Sequence, residues 1–338
     1  MKALSGAWCA WVADNVLSGV AASEIVKALV ASGVPRAMAR AYVDEIRRSP
    51  VLHALAAERA KTARRELHAR LLREARRDIA IERRAKPPAD EFFARYWANA
   101  EPVVFTDATR GWRLWSPADM KRLAGDAVVR VTEGRNADPD YDRNFRKHMR
   151  KTTVGAFVDR VLGAGETNDF YMVAHSAAID RPELAPLLRR IVVDPEYFDA
   201  AAGRGSKSLW LGPKGTVTPL HHDTTNILFH QIHGRKQFLL VSPHETALAD
   251  AARGFYVDVD PERPREAAKR HPWWRRVVVH RVVLEPGEAL FLPAGWWHHV
   301  RALDVSISLS LLAFRRPNRL GWYRPGFAET SAPEPRPT

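Results

Sequence analysis

The chain carries a single cysteine, Cys9, in 338 residues. One thiol cannot close an intrachain disulfide, so the fold must rest on its apolar core, and a reducing, cytoplasmic compartment is expected. No stretch approaches the roughly 20 apolar residues that span a bilayer. The opening residues 1–13 briefly imitate a secretory leader, but Asp14 and Asn15 interrupt the apolar run. No internal repeat, helix-turn-helix pattern, zinc-finger spacing or RNA-binding motif is present. Acidic residues are scarce relative to basic ones, 39 against 52, which leaves a net charge of +13 and a pI near 10.1. Such a chain attracts polyanions and acidic polypeptides without any dedicated motif.

Two short segments far apart carry the chemistry. Thr218-Pro219-Leu220-His221-His222-Asp223 offers an H-x-D pair, and Leu292-Pro293-Ala294-Gly295-Trp296-Trp297-His298 offers another imidazole, with His299 next to it. Side chains alternate along an extended segment, so His221 and Asp223 project to one face and can chelate one ion. Two imidazoles and a carboxylate are the set that holds non-haem Fe(II) on one face and leaves the other open. Each half alone is weak, because a lone H-x-D is common and an aromatic run ending in histidines also reads as a core strand. Between them, residues 226–243 read as strand, tight turn at His233-Gly234, and returning strand, a hairpin. Alternation groups Lys236 with Phe238 and Leu240 on an apolar face, where a lysine needs an anionic partner. An acidic cosubstrate would supply it; a solvent-exposed edge lysine is the competing reading.

With these residues in view, the chain resembles the cupin-like JmjC family of Fe(II)/2-oxoglutarate oxygenases. The motifs that carry the resemblance are Thr218 to Asp223, Gln231-Ile232-His233-Gly234-Arg235-Lys236, Leu284-Glu285-Pro286-Gly287-Glu288 and Leu292 to His298. It is most similar to the subgroup of the hypoxia-inducible-factor asparaginyl hydroxylase, over residues 91–314. The resemblance implies that His221, Asp223 and His298 are the metal ligands and catalytic centre. It implies that Lys236 binds the distal carboxylate of 2-oxoglutarate, with Thr218 and Tyr171 donating hydrogen bonds to it. Tyr171 rests on a short match in Asp169-Phe170-Tyr171-Met172-Val173 and competes with a core aromatic. Where the hydroxylase carries two asparagines near the chelating end of the cosubstrate, this chain has Ile227, with Asn226 one residue away, and Ser310. The implied cofactors are Fe(II), 2-oxoglutarate as cosubstrate, and dioxygen.

The expected fold is mainly β with helical additions, a cupin-type double-stranded β-helix or jelly roll with an N-terminal α-helical domain. The expected domains are 1–86, helical and ending in a long basic helix; 91–316, the cupin-like oxygenase domain; and 317–338, an extension with a Pro-rich disordered tail. In the first, 23–33 reads as a helix opened by a Ser23 capping box and closed by Gly33, and 36–47 as a second helix. Residues 56–84 read as a long helix with Leu67, Leu71, Leu72, Ala75 and Ile79 at helical spacing among many arginines. That helix is either a basic arm or an amphipathic surface packed on the oxygenase domain or on a second copy, a homodimer through helices outside the barrel.

The expected function is hydroxylation of a side chain of a protein or peptide, acidic or ribosome-associated, with release of succinate and CO2. The same chemistry on a small metabolite or an RNA base, or a catalytically silent binding module, are the alternatives. Trp273-Trp274 among the arginines of 263–281 would suit base stacking, but without an accompanying motif nucleic acid is not the favoured partner.

Overall fold

In the computed structural model the described residues are 5–77, 80–199 and 201–318, so the expected tail and Ile79 lie outside them. The chain forms two compact units, Met1–Ala75 and Arg76–Thr338. In the first, α1 (Gly6–Leu17), α2 (Ala22–Ala31) and α3 (Arg36–Arg48) bury Val12, Ile25, Leu29, Ala39 and Val43 against one another. The capping box at Ser23 does not form: Ala21 is the N-cap, and Ser23 already lies inside α2. The chain reverses at Gly19, φ +77°, and enters the helix before Ser23 is reached. Gly33, φ +90°, closes it as expected. The long helix, α4, runs Pro50–Arg76 rather than 56–84. Proline at the first helical position costs no hydrogen bond, so α4 can begin directly after α3, and by Glu82 the backbone has turned to strand.

Among its described residues the second unit holds thirteen strands: β1 (Glu82–Arg84), β2 (Val103–Phe105), β3 (Val128–Glu133), β4 (Met149–Thr153), β5 (Phe170–Tyr171), β6 (Lys207–Gly212), β7 (Val217–His221), β8 (Ile227–His233), β9 (Lys236–Val241), β10 (His280–Leu284), β11 (Ala289–Leu292), β12 (Trp297–Ala302) and β13 (Ser306–Leu311). They pair as a six-stranded sheet β1-β2-β11-β8-β13-β6, a four-stranded sheet β10-β9-β12-β7 and a smaller sheet β4-β3-β5. The first two face each other as a jelly roll. Alternation sorts their side chains into layers. Val104, Ile227, Phe229, Phe238, Leu240, Leu290 and Leu292 fill the barrel interior, while Phe105, Leu228, Ile232, Phe291, Ile307 and Leu309 face outward into a helix-covered aromatic core. Strands covered on both faces read as unbroken apolar runs, which is how β8, β9 and β11 appear in the sequence. On the outer core, Phe92 stacks on Tyr197 at 4.7 Å and meets Phe291 edge-on at 4.8 Å. No helix among the described residues is long and apolar enough to cross a membrane.

The turn at His233-Gly234 does not make a hairpin. β8 pairs with β11 and β13, and β9 with β10 and β12, so the turn carries the chain from one sheet to the other. Both flanking strands are apolar on both faces, and sequence alone does not separate a sheet-crossing corner from a hairpin. The corner is built by Gln231, whose Nε2 donates to the carbonyls of His233 (2.8 Å) and Gly234 (2.7 Å). Gly234 has φ +65°, and a Cβ there would stand 2.1 Å from the Val305 carbonyl oxygen. Gly234→Ala should therefore cost about 1–3 kcal/mol of stability, read as a lowered urea midpoint with an unchanged m-value.

Candidate active site

The antiparallel pairing of β7 with β12 sets His221 directly opposite His298, with ring centroids 4.0 Å apart. Asp223 lies just beyond the end of β7, on a loop stitched to the turn that leads into β12. The Asp223 carbonyl accepts from Gly295 N at 2.9 Å, and Asn226 Oδ1 accepts from Ala294 N at 2.9 Å. An Asp223 carboxylate oxygen stands 3.6 Å from His298 Nε2, and one ligand atom from each of the three residues lies within 4.8 Å of the others. His221 Nδ1 is held by the Pro219 carbonyl at 2.8 Å and His298 Nδ1 by the Trp296 carbonyl at 3.0 Å. A carbonyl only accepts, so each Nδ1 carries the proton and each Nε2 keeps its lone pair for a ligand. Burial pushes the His298 pKa down to about 3, which keeps the ring in its neutral, ligating form. This donor set, two imidazoles and a carboxylate, fits Fe(II).

His299 lies on the opposite face of β12. There a ligand atom of its ring is within 4.8 Å of Asp260 and Glu262, but Glu262 is already clamped by Arg301 at 2.7 and 3.0 Å and by Gln237 at 3.1 Å. The two tryptophans divide likewise. Trp296 joins the barrel interior, its Nε1 donating to the Ala100 carbonyl at 2.8 Å, whereas Trp297 packs on the outer face of the four-stranded sheet.

Lys236 faces the interior with Phe238 and Leu240 and is 1% exposed. Its one hydrogen bond among the described residues runs from Nζ to Tyr171 Oη at 2.8 Å, and the Phe229 ring lies 5.2 Å away. Burial lowers its pKa to about 7. A buried ammonium without a carboxylate is costly, and a dicarboxylate ligand would relieve it. Tyr171 is pinned over Gly212, where any Cβ would come within 2.6 Å of its ring; burial raises its phenol pKa. Thr218 reaches the same side as His221 through a bulge. His221 pairs with His298, yet Thr218, three residues earlier, pairs with Val300, only two residues later. Cross-strand partners share a face, so the extra residue in β7 turns Thr218 inward, where strict alternation would turn it out. Ser310 is fully buried on the inward face of β13, its hydroxyl without a hydrogen-bond partner among the described residues. Ile227 packs in the interior cluster. Asn226 is spent on the loop, bonded to Ala294 and Asn318.

Two contributors carry no recognisable signal in the sequence. Tyr256 bridges to the backbone of His221 and stacks on its ring at 5.4 Å. It forms one wall of a cavity of about 240 Å³ lined also by Tyr141, Asp142, Arg143, Asp260 and His299, so the cavity opens on the His299 face of β12. Arg135, 1% exposed, lies beneath Tyr171. Partners distant in sequence set both positions.

A jelly roll with a His–Asp–His centre at one end of its four-stranded sheet and a buried lysine beside it defines a cupin-type metalloprotein. Residues 89–312 match the family model of the cupin-like domain, and the chain belongs to that family. Lysine-specific demethylase 8 of Xenopus tropicalis is 29% identical over 244 residues, covering 69% of this chain and 52% of the relative. JmjC domain-containing protein D of Dictyostelium discoideum is 29% identical over 254 residues, 68% of this chain and 55% of the relative. HSPB1-associated protein 1 of Bos taurus is 36% identical over 115 residues, 30% of this chain and 22% of the relative. The chain thus spans about half the length of the first two relatives.

Two outcomes are expected. His298→Ala should abolish Fe(II) binding in an anaerobic titration, while His299→Ala retains it. Lys236 has a folded pKa of about 7, below its ordinary 10.5. Between those values the unfolded chain binds a proton that the native protein lacks. Lys236 therefore makes metal-free protein more stable as pH rises from about 7 to about 10.5, by up to about 1.4 kcal/mol per pH unit. The difference between wild type and Lys236→Met in urea midpoints at successive pH values should show that slope.

Proposed function

We propose that this chain is an Fe(II)/2-oxoglutarate-dependent oxygenase that oxidises a side chain of a protein or peptide. The observation that carries this reading is the convergence of two imidazole Nε2 atoms and the Asp223 carboxylate beside a buried lysine with no carboxylate partner among the described residues. Bound Fe(II), with 2-oxoglutarate and dioxygen, supplies oxidation of an unactivated C–H bond with release of succinate and CO2. His221, Asp223 and His298 hold the metal on one face, their orientation fixed by the Pro219 and Trp296 carbonyls. Lys236, Tyr171 and Thr218 take the distal carboxylate of the cosubstrate, and Ser310 offers a free hydroxyl on the facing sheet. Trp296, Ile227, Phe229 and Phe238 exclude water from the reacting centre.

A basic side chain, lysine or arginine, is the target this reading favours. The relatives named lysine-specific demethylases agree with a basic target. A hydroxyl placed on carbon stays, whereas one placed on an N-methyl group leaves as formaldehyde, and both outcomes use the same residues. The likeness to the asparaginyl hydroxylase subgroup rests on the motifs alone, with Ile227 and Ser310 as departures from it. The basic exterior would draw the protein to an acidic or polyanionic assembly such as the ribosome, where basic side chains are also presented. A homodimer would use α4, on which Leu67, Leu71 and Leu72 are exposed. A cytoplasmic setting suits a single cysteine and a ferrous site.

Anaerobic addition of Fe(II) and 2-oxoglutarate should give a weak visible charge-transfer band, absent in His221→Ala, and admission of air should release succinate. Folded, iron-loaded protein that gives neither band nor succinate would instead be a binding module, the reading that Ile227 and Ser310 favour.

A further inference from the structure

Arg135 is the largest unexplained charge in the interior. It is 1% exposed, and its Nη2 donates to the Val217 carbonyl at 2.7 Å. The only carboxylate paired with it among the described residues, Asp142, has Oδ1 at the long distance of 3.5 Å. Its Nη1 is buried with no hydrogen-bond partner among the described residues. The guanidinium lies over the ring of Tyr141 at 4.2 Å and over that of Tyr171 at 5.2 Å. Tyr141 Oη donates to the same Val217 carbonyl at 3.1 Å.

These contacts converge on the groups read above as the carboxylate subsite. The ring face of Tyr171 meets Arg135, and its hydroxyl meets Lys236. Val217, whose carbonyl Arg135 holds, immediately precedes Thr218 at the bulge that turns Thr218 inward. One planar cation therefore braces two of the three anchors. It also keeps its charge at every accessible pH, which a buried lysine does not. A fully desolvated arginine with a single strong hydrogen bond is hard to justify as packing alone.

We propose that Arg135 is a positioning residue for the distal carboxylate of the 2-oxo acid, acting through Tyr171 and the Val217–Thr218 backbone and adding fixed positive potential. The subsite is thereby selective for a dicarboxylate over a monocarboxylate of the same length. This rests on the cosubstrate reading of Lys236, Tyr171 and Thr218.

The test uses full-length protein loaded with Mn(II), which binds without turnover. Water-proton relaxation reports Mn(II) affinity and the displacement of water by 2-oxoglutarate or by 2-oxopentanoate, which lacks the distal carboxylate. Arg135→Met should weaken 2-oxoglutarate by at least about tenfold, the usual scale for loss of an orienting partner, and leave Mn(II) and 2-oxopentanoate unchanged. Equal binding of both acids to wild type and variant would overturn the proposal. So would a parallel loss of both acids or of Mn(II), which is what a merely structural residue would give. Should Arg135→Met fail to fold, Arg135→Lys decides by the same ratio, with a selective loss of about threefold expected because the charge remains without the planar fork. Wild-type protein that binds Mn(II) but not 2-oxoglutarate would remove the cosubstrate reading itself and this inference with it, an outcome distinct from the others.

Discussion

The register of β7 against β12 is the constraint on which the centre depends. It sets two histidines 77 residues apart on facing rungs of one ladder, and a slip of one residue would bring His299 to the interior and send His298 to the surface. The register is protected on both sides. Leu220, Val241 and Trp297 must face the outer cluster, and Val300 the inner one. The Asp223 loop adds a second lock by bonding the turn before β12 through Gly295 and Ala294. A ligand set assembled in this way is held by the sheet, with the backbone carbonyls of the same strands fixing the ring tautomers.

Charge in the interior follows a different logic from charge on the surface. Outside, arginines are abundant and many are paired, as Arg235 is with Asp304 and Arg95 with Glu82, and such pairs contribute little. Inside, Lys236 and Arg135 are each desolvated with few protein partners, and aromatic faces stand where carboxylates would. An interior with surplus positive charge is poised for an anion.

The architecture and the metal motif were legible in the sequence because they depend on local order: alternation, an H-x-D pair, and turns marked by Pro and Gly. The strands carrying Lys236 and Ser310 were readable on that basis, and alternation grouped Lys236 with Phe238 and Leu240 while leaving an interior and an exposed-edge placement both open. What depended on pairing partners was not legible. Apolar faces on both sides hid whether β8 and β9 shared a sheet, and the bulge that turns Thr218 inward exists only against β12. The start of α4 was missed because Pro50 reads equally as a helix stop and as a first helical residue. Arg135 and Tyr256 sit in segments of ordinary composition, and nothing local distinguishes a buried arginine from the many exposed ones.

Because the corner at Gly234 moves the chain between layers, the proposed carboxylate subsite would be assembled from separate sheets. Lys236 comes from the four-stranded sheet, Tyr171 from the small sheet and Ser310 from the six-stranded one. A molecule seated among them would be a rivet through the sandwich, its binding free energy adding to the side-chain packing and the Met172–Leu211 bridge that already join these layers. Loss of that molecule would loosen the barrel along the seam between its sheets, so the local opening of this protein and the supply of its small ligand are one equilibrium viewed from two sides.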